Sequence, residues 1–169
     1  MSVTLHGIVL PTITQILGSL ETILDKAIIH AETRKIDPSV LVNYRLAPDM
    51  FPLSRQIQIA SDHAKNCVAR LTGTEAPAFP DDEASLDELK ARVGKTLAYV
   101  AGFKAAAFEG SEARKIELKF PNGMEFNFTG ETYVTRWFLP NFYFHATTAY
   151  DILRHAGVDL GKRDFLGKA

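Results

Sequence analysis

LPNFYFHATTAYDILRHAG, residues 139–157, is the stretch that decides the fold. Wound at 100° per residue, it sets Phe142, Ala149, Ile152 and Ala156 within about 60° of one another, and Phe138 just before it joins the same stripe. That is the period of an amphipathic helix, not of a strand. Thr129, with Glu131 in the first turn, is a fair N-cap, and Gly157 is well placed as the left-handed residue that ends the helix. Pro140 lacks a backbone donor, so it should kink this helix or divide it in two.

Asn141 and His145 fall in the middle of that apolar stripe, four residues apart and therefore neighbours on one face. A buried polar group without a partner costs on the order of 1–3 kcal/mol. Such a pair must be hydrogen-bonded or line a cavity. Two readings stay open. Either the two side chains satisfy each other or a carbonyl freed by Pro140, or His145 is a metal ligand or general base in a pocket between helices.

Working outward, three earlier segments carry the same period. In the first, Ile13, Leu17, Leu20, Leu24, Ala27, Ile28 and Ala31 share a stripe that ends before Asp37-Pro38. The second starts near Pro52, buries Leu53, Ile57, Ala60, Ala64, Cys67, Val68 and Leu71, and ends at Gly73. The third opens on the capping box Ser85–Glu88, and its stripe reads Leu86, Leu89, Val93, Leu97, Val100, Phe103 and Ala107. Between the third and fourth helices the period falls to two. Ile116, Leu118 and Phe120 alternate with polar residues, as do Met124, Phe126 and Phe128, on either side of Asn122-Gly123. That is a β-hairpin whose apolar face must pack on the helices.

The remaining candidates are weaker. His63 lies on a flank of the second helix, roughly 95° from its stripe centre, and His30 sits at the edge of the first helix's stripe. His6 is expected near a frayed terminus, and His155 in the last turn of a helix suits the dipole. Asp81-Asp82-Glu83 reads as a solvated loop ahead of a helix, and the segment from Val158 as a docked tail anchored by Phe165. Cys67 reads as a small core hydrophobe.

At 169 residues the chain is one domain, 1–169, with ordinary globular composition. Its 19 basic and 20 acidic side chains nearly cancel, which argues against a nucleic-acid surface. One cysteine offers no internal disulfide, residues 1–20 carry no Lys or Arg, and no apolar run reads as long enough to span a bilayer. The expected protein is cytoplasmic, with no membrane partner. Nucleophile-elbow, phosphate-loop and dinucleotide signatures are absent from the sequence.

The 139–157 stretch followed by VDLGKRDFLG (158–167) resembles a bacterial family of unknown function, as do NYRLAPDMFPLSRQIQIASDHAKNCVARLTG (43–73) and FTGETY (128–133). That family is similar to the wider DinB/YfiT-like superfamily. The resemblance implies an all-α, four-helix up-down-down-up bundle with a small β-hairpin between helices three and four, commonly a homodimer. Characterised members of the superfamily include metal-dependent thiol transferases and isomerases. In these, one histidine of the second helix and two at i, i+4 on the fourth hold a divalent metal. Here Asn141 and His145 fall where the pair belongs, so only His145 is retained. The second-helix position falls near Gln58 or Ile59, with His63 a turn later. Zinc or nickel in catalytic form wants three protein ligands. Two functions follow. One is a bundle with a degenerate, non-metal site that binds a small ligand or is purely structural, its pocket drawn from Asn141, His145, Gln58, His63 and His30. The other is a transferase or hydrolase using a divalent metal, zinc or nickel, on His145.

Overall fold

Helix α1 (Leu5–Arg34) starts where the Thr4 hydroxyl accepts from the Gly7 amide at 3.1 Å, and ends at Lys35 in the left-handed region, φ 54°. It belongs to a computed structural model that describes residues 3–167. Val9, Ile13, Leu17, Leu20 and Leu24 are fully buried along one side. His6 is not at a frayed end. It lies in the first turn, its ring edge-on to Phe108 at 5.3 Å. The expectation that no run is long enough to span a bilayer is also corrected: α1 passes by length and composition. Its most apolar stripe nonetheless faces the other helices, as a central core helix requires.

A short helix, α2 (Pro38–Val42), is capped by the Asp37 carboxylate, which accepts from the Ser39 amide. Helix α3 (Leu53–Thr72) ends at Gly73, φ 71°, and buries every apolar residue of the expected stripe. Helix α4 (Leu86–Ala101) opens on the Ser85–Glu88 box as read. It stops two turns short of the predicted Ala107. Gly102, about 1 kcal/mol poorer than Ala in a helix, caps it, and a 3₁₀ turn at Ala105–Phe108 then drives Phe108 into the core.

Strands β1 (Lys115–Lys119) and β2 (Glu125–Thr129) pair antiparallel, Ile116 opposite Phe128 and Leu118 opposite Phe126. Ile116 and Leu118 are buried, while Met124, expected on the same face, is half exposed because it sits in the turn. Phe126 and Phe128 close on Trp137 at 5.1 and 6.0 Å, which holds the hairpin onto the helices.

Thr129 caps the next helix as expected. One turn, α5 (Gly130–Tyr133), leads into a π-turn at Val134–Phe138, then α6 (Leu139–His155). Pro140 cannot donate, and the backbone adjusts one turn earlier by widening: the Leu139 amide reaches back five residues to the Val134 carbonyl. Gly157, φ 94°, ends α6. The tail is more structured than a docked strap. Val158 and Leu160 are buried, and α7 (Lys162–Leu166) packs on α1 through Lys26–Asp164 at 2.8 Å and Gln15 Nε2 donating to the Leu166 carbonyl.

The four long helices close a ring of contacts: α1 on α4, α4 on α3, α3 on α6 and α6 on α1. The acidic stretch is not simply solvated. Arg92 of α4, 2% exposed, gathers Asp81, Glu83 and Asp62 at 2.9 Å each, and Asp81 also meets Arg55. A buried guanidinium needs such partners. They clamp the 74–84 loop across α3 and α4, with Phe79 under Arg92, Lys65 and Lys95.

Candidate functional site

Along α3, Gln56, Ile59, His63, Asn66 and Arg70 recur at helical spacing, one row beside the apolar stripe. Across from them α6 presents Asn141 and His145. The hairpin and Trp137 extend the wall, leaving a cleft of about 530 Å³ lined by Ile59, His63, Asn66, Arg70, Trp137 and Asn141 with hairpin residues Glu117 to Phe120 and Asp62.

Next to the cleft, Gln56, 1% exposed, fixes the His145 ring. Its Nε2 donates to the Phe51 carbonyl at 3.1 Å, so its Oε1 faces His145 Nδ1 at 2.7 Å. Nδ1 therefore carries the proton, and the lone pair is left on Nε2. The His63 ring lies against His145 at 5.8 Å and 19°, close to parallel. Burial, reinforced by His145 and Arg70, pulls His63 down to about 4, and burial with Arg55 nearby does the same to His145. Both rings are neutral at neutral pH.

The sequence candidates divide. Asn141 does not pair with His145. Its amide donates to the Trp137 carbonyl at 2.7 Å, one position past the carbonyl opposite Pro140. His63 comes together with His145, since the flank it occupies is covered by α6 and the hairpin. Gln58 is elsewhere: it is buried among Arg55 and Glu83, accepting from the first and donating to the second. His30 is in a separate cleft with Lys26, Ile29, Arg34 and Asp159. Cys67 is wholly buried, which pushes its thiol up and keeps it protonated. Gln56, Arg70 and Trp137 are neighbours of these residues that the sequence reading passed over. The available signal was the polar row 56–63–66–70 at steps of seven, three and four.

The residues do not fit a resident divalent metal. Two imidazoles approach each other, but the Gln56 Oε1 is engaged by the His145 Nδ1–H, and Asp62 is held by Arg92 and Lys65. Among the described residues no three His, Cys, Asp or Glu side chains converge on one point. Two imidazoles fall short of the three protein ligands that a catalytic zinc takes.

No curated protein matches the chain. Among solved structures, the crystal structure of a DinB family member protein from Shewanella denitrificans is similar, with TM-score 0.89 and 44% identity over 98% of this chain and 93% of that one. The family described as Domain of unknown function (DUF1993) matches residues 5–166. A match of that extent, with that neighbour, settles descent: the chain belongs to the DUF1993 family, a DinB-like family of unknown function.

Proposed function

We propose that this protein is an up-down-down-up four-helix bundle, a cytoplasmic homodimer, whose α3–α6 cleft binds a small organic molecule without a resident metal. The topology is supported by side-chain pairs. Asp25–Lys90 and Glu21 against Gly94 oppose α1 and α4, while Gln56–His145 and Arg70–Tyr133 oppose α3 and α6. Asp62–Arg92, with Lys65 and Lys95 sharing Phe79, aligns α3 with α4. Dimerisation is the habit of the superfamily, and the exposed aromatic side chains of Phe51, Tyr143 and Phe144 are consistent with it.

The observation that carries the ligand reading is the His145–Gln56 bond. It ties up the His145 ring at Nδ1 while Asp62 is spent on ion pairs, so the neighbouring cleft presents Asn66, Asn141 and an aromatic wall in place of a ligand set. Rooms of this size and mixed lining suit small molecules. The close approach of His63 to His145 favours a second reading, a metal-dependent transferase or hydrolase on His145. Elemental analysis of the wild type and His145→Ala, after exposure to zinc, nickel and manganese and then desalting, separates the two. The ligand-cleft reading expects neither protein to retain metal. Near one equivalent in the wild type, lost in His145→Ala, would establish the metalloenzyme instead.

A further inference from the structure

Arg70 is the uncompensated charge of the cleft. Asp62 is shared by Arg92 and Lys65, and Glu117 has Lys119 at 3.8 Å on the rim. Arg70 is half buried. It donates to the Tyr133 hydroxyl at 2.9 Å and rests its guanidinium 5.7 Å over that ring, and no carboxylate among the described residues comes within 4.0 Å of it. The phenol is no counter-ion, because burial pushes its pKa up and holds it neutral. A guanidinium partly withdrawn from water and bonded only to a neutral group favours an anion as its partner. Around it stand neutral groups that can bond the same anion, the side chains of Asn66 and Asn141 and the Trp137 indole. Leu118, Phe120 and Trp137 supply a flat apolar wall.

We infer that the cleft takes a small organic monocarboxylate with a flat apolar body, its carboxylate on Arg70 and its body against Trp137 and Phe120. A single free cation matches a single negative charge, whereas a phosphate dianion would ask for a second. The planar fork of arginine suits the two oxygens of a carboxylate. This rests on the reading of the cleft as a ligand site.

The reporter is built in, since Trp137 is the one tryptophan of the chain. Its emission is followed while benzoate, benzamide or phenyl phosphate is titrated into the full-length protein, wild type, Arg70→Lys and Arg70→Gln. Thermal unfolding checks that each variant folds. Benzoate should give a saturable change at least about tenfold tighter than benzamide, the worth of one charge-assisted hydrogen bond. Arg70→Gln should abolish that preference and Arg70→Lys keep part of it. Benzamide equal to benzoate, phenyl phosphate tighter than benzoate, or a preference unmoved in a folded Arg70→Gln overturns the carboxylate assignment and leaves the cleft a ligand site. No saturable change with any probe overturns both. The benzamide comparison needs no variant, so it stands even if Arg70→Gln fails to fold.

Discussion

Acidification should destabilise this protein through the His63–His145 pair well before its carboxylates titrate. Both rings are drawn from the usual 6.5 to about 4 in the folded state. Between those values the unfolded chain binds protons that the folded chain refuses. The stabilising contribution is thus complete above 6.5 and is lost as pH falls toward 4. For one group with these two values the loss at about pH 5 is about 2 kcal/mol. Both rings are only partly buried, and solvent screening roughly halves the figure to about 1 kcal/mol each and about 2 kcal/mol together. Asp37, Glu88 and Asp164 are held below the carboxylate range by hydrogen bonds, so their contributions fade only at lower pH and are common to any variant. The assay is urea unfolding at several pH values from about 7.5 to 5, on the wild type and on His63→Asn/His145→Asn. The wild type should lose about 2 kcal/mol over that window and the double variant far less. Equal losses in the two proteins would refute the reasoning, because they would mean that the rings titrate as in water.

Arg92→Met should lower stability by about 3 kcal/mol in the same urea assay at neutral pH, since it strands Glu83 and frees the 74–84 loop. A loss under 1 kcal/mol would show that water replaces the guanidinium readily. Gly130→Ala should cost about 2 kcal/mol, read as a fall in melting temperature, because the added methyl would overlap the Ser111 carbonyl. The metal and benzoate measurements above complete the set.

The helices were legible because their stripes obey one period and their ends carry local signals: Ser85–Glu88, Gly73, Thr129 and Gly157 all act within a turn of where they stand. The site was half legible. His145 and Asn141 betray themselves as polar residues on an apolar face. Counting 100° steps around one helix, however, sees a single stripe. His63 sits off that stripe on a flank which becomes interior only when the hairpin and α6 arrive, and nothing local to α3 announces that. Gln56 is invisible for the opposite reason, since an isolated glutamine on a helix reads as solvated until Phe51 and His145 claim both ends of its amide. Arg92 and the acids of the 81–83 run are nine or more residues apart around a proline-bearing loop, so their meeting is tertiary.

The π-turn before Pro140 acts as a phase setter. It holds one residue more than an α-turn would, and each residue advances an α-helix by 100°. Wind the same residues as plain α-helix, with that extra one no longer taken up in a wide turn, and everything downstream is clocked round by about 100° against Thr129 and the hairpin. Asn141 and His145 would leave the cleft, and Pro140 and Phe144 would take their places. Which side chains face α3 is thus written as much by the width of the Val134–Phe138 turn as by their identity. Losing one residue there would let the turn close to α and leave Asn141 and His145 where they are.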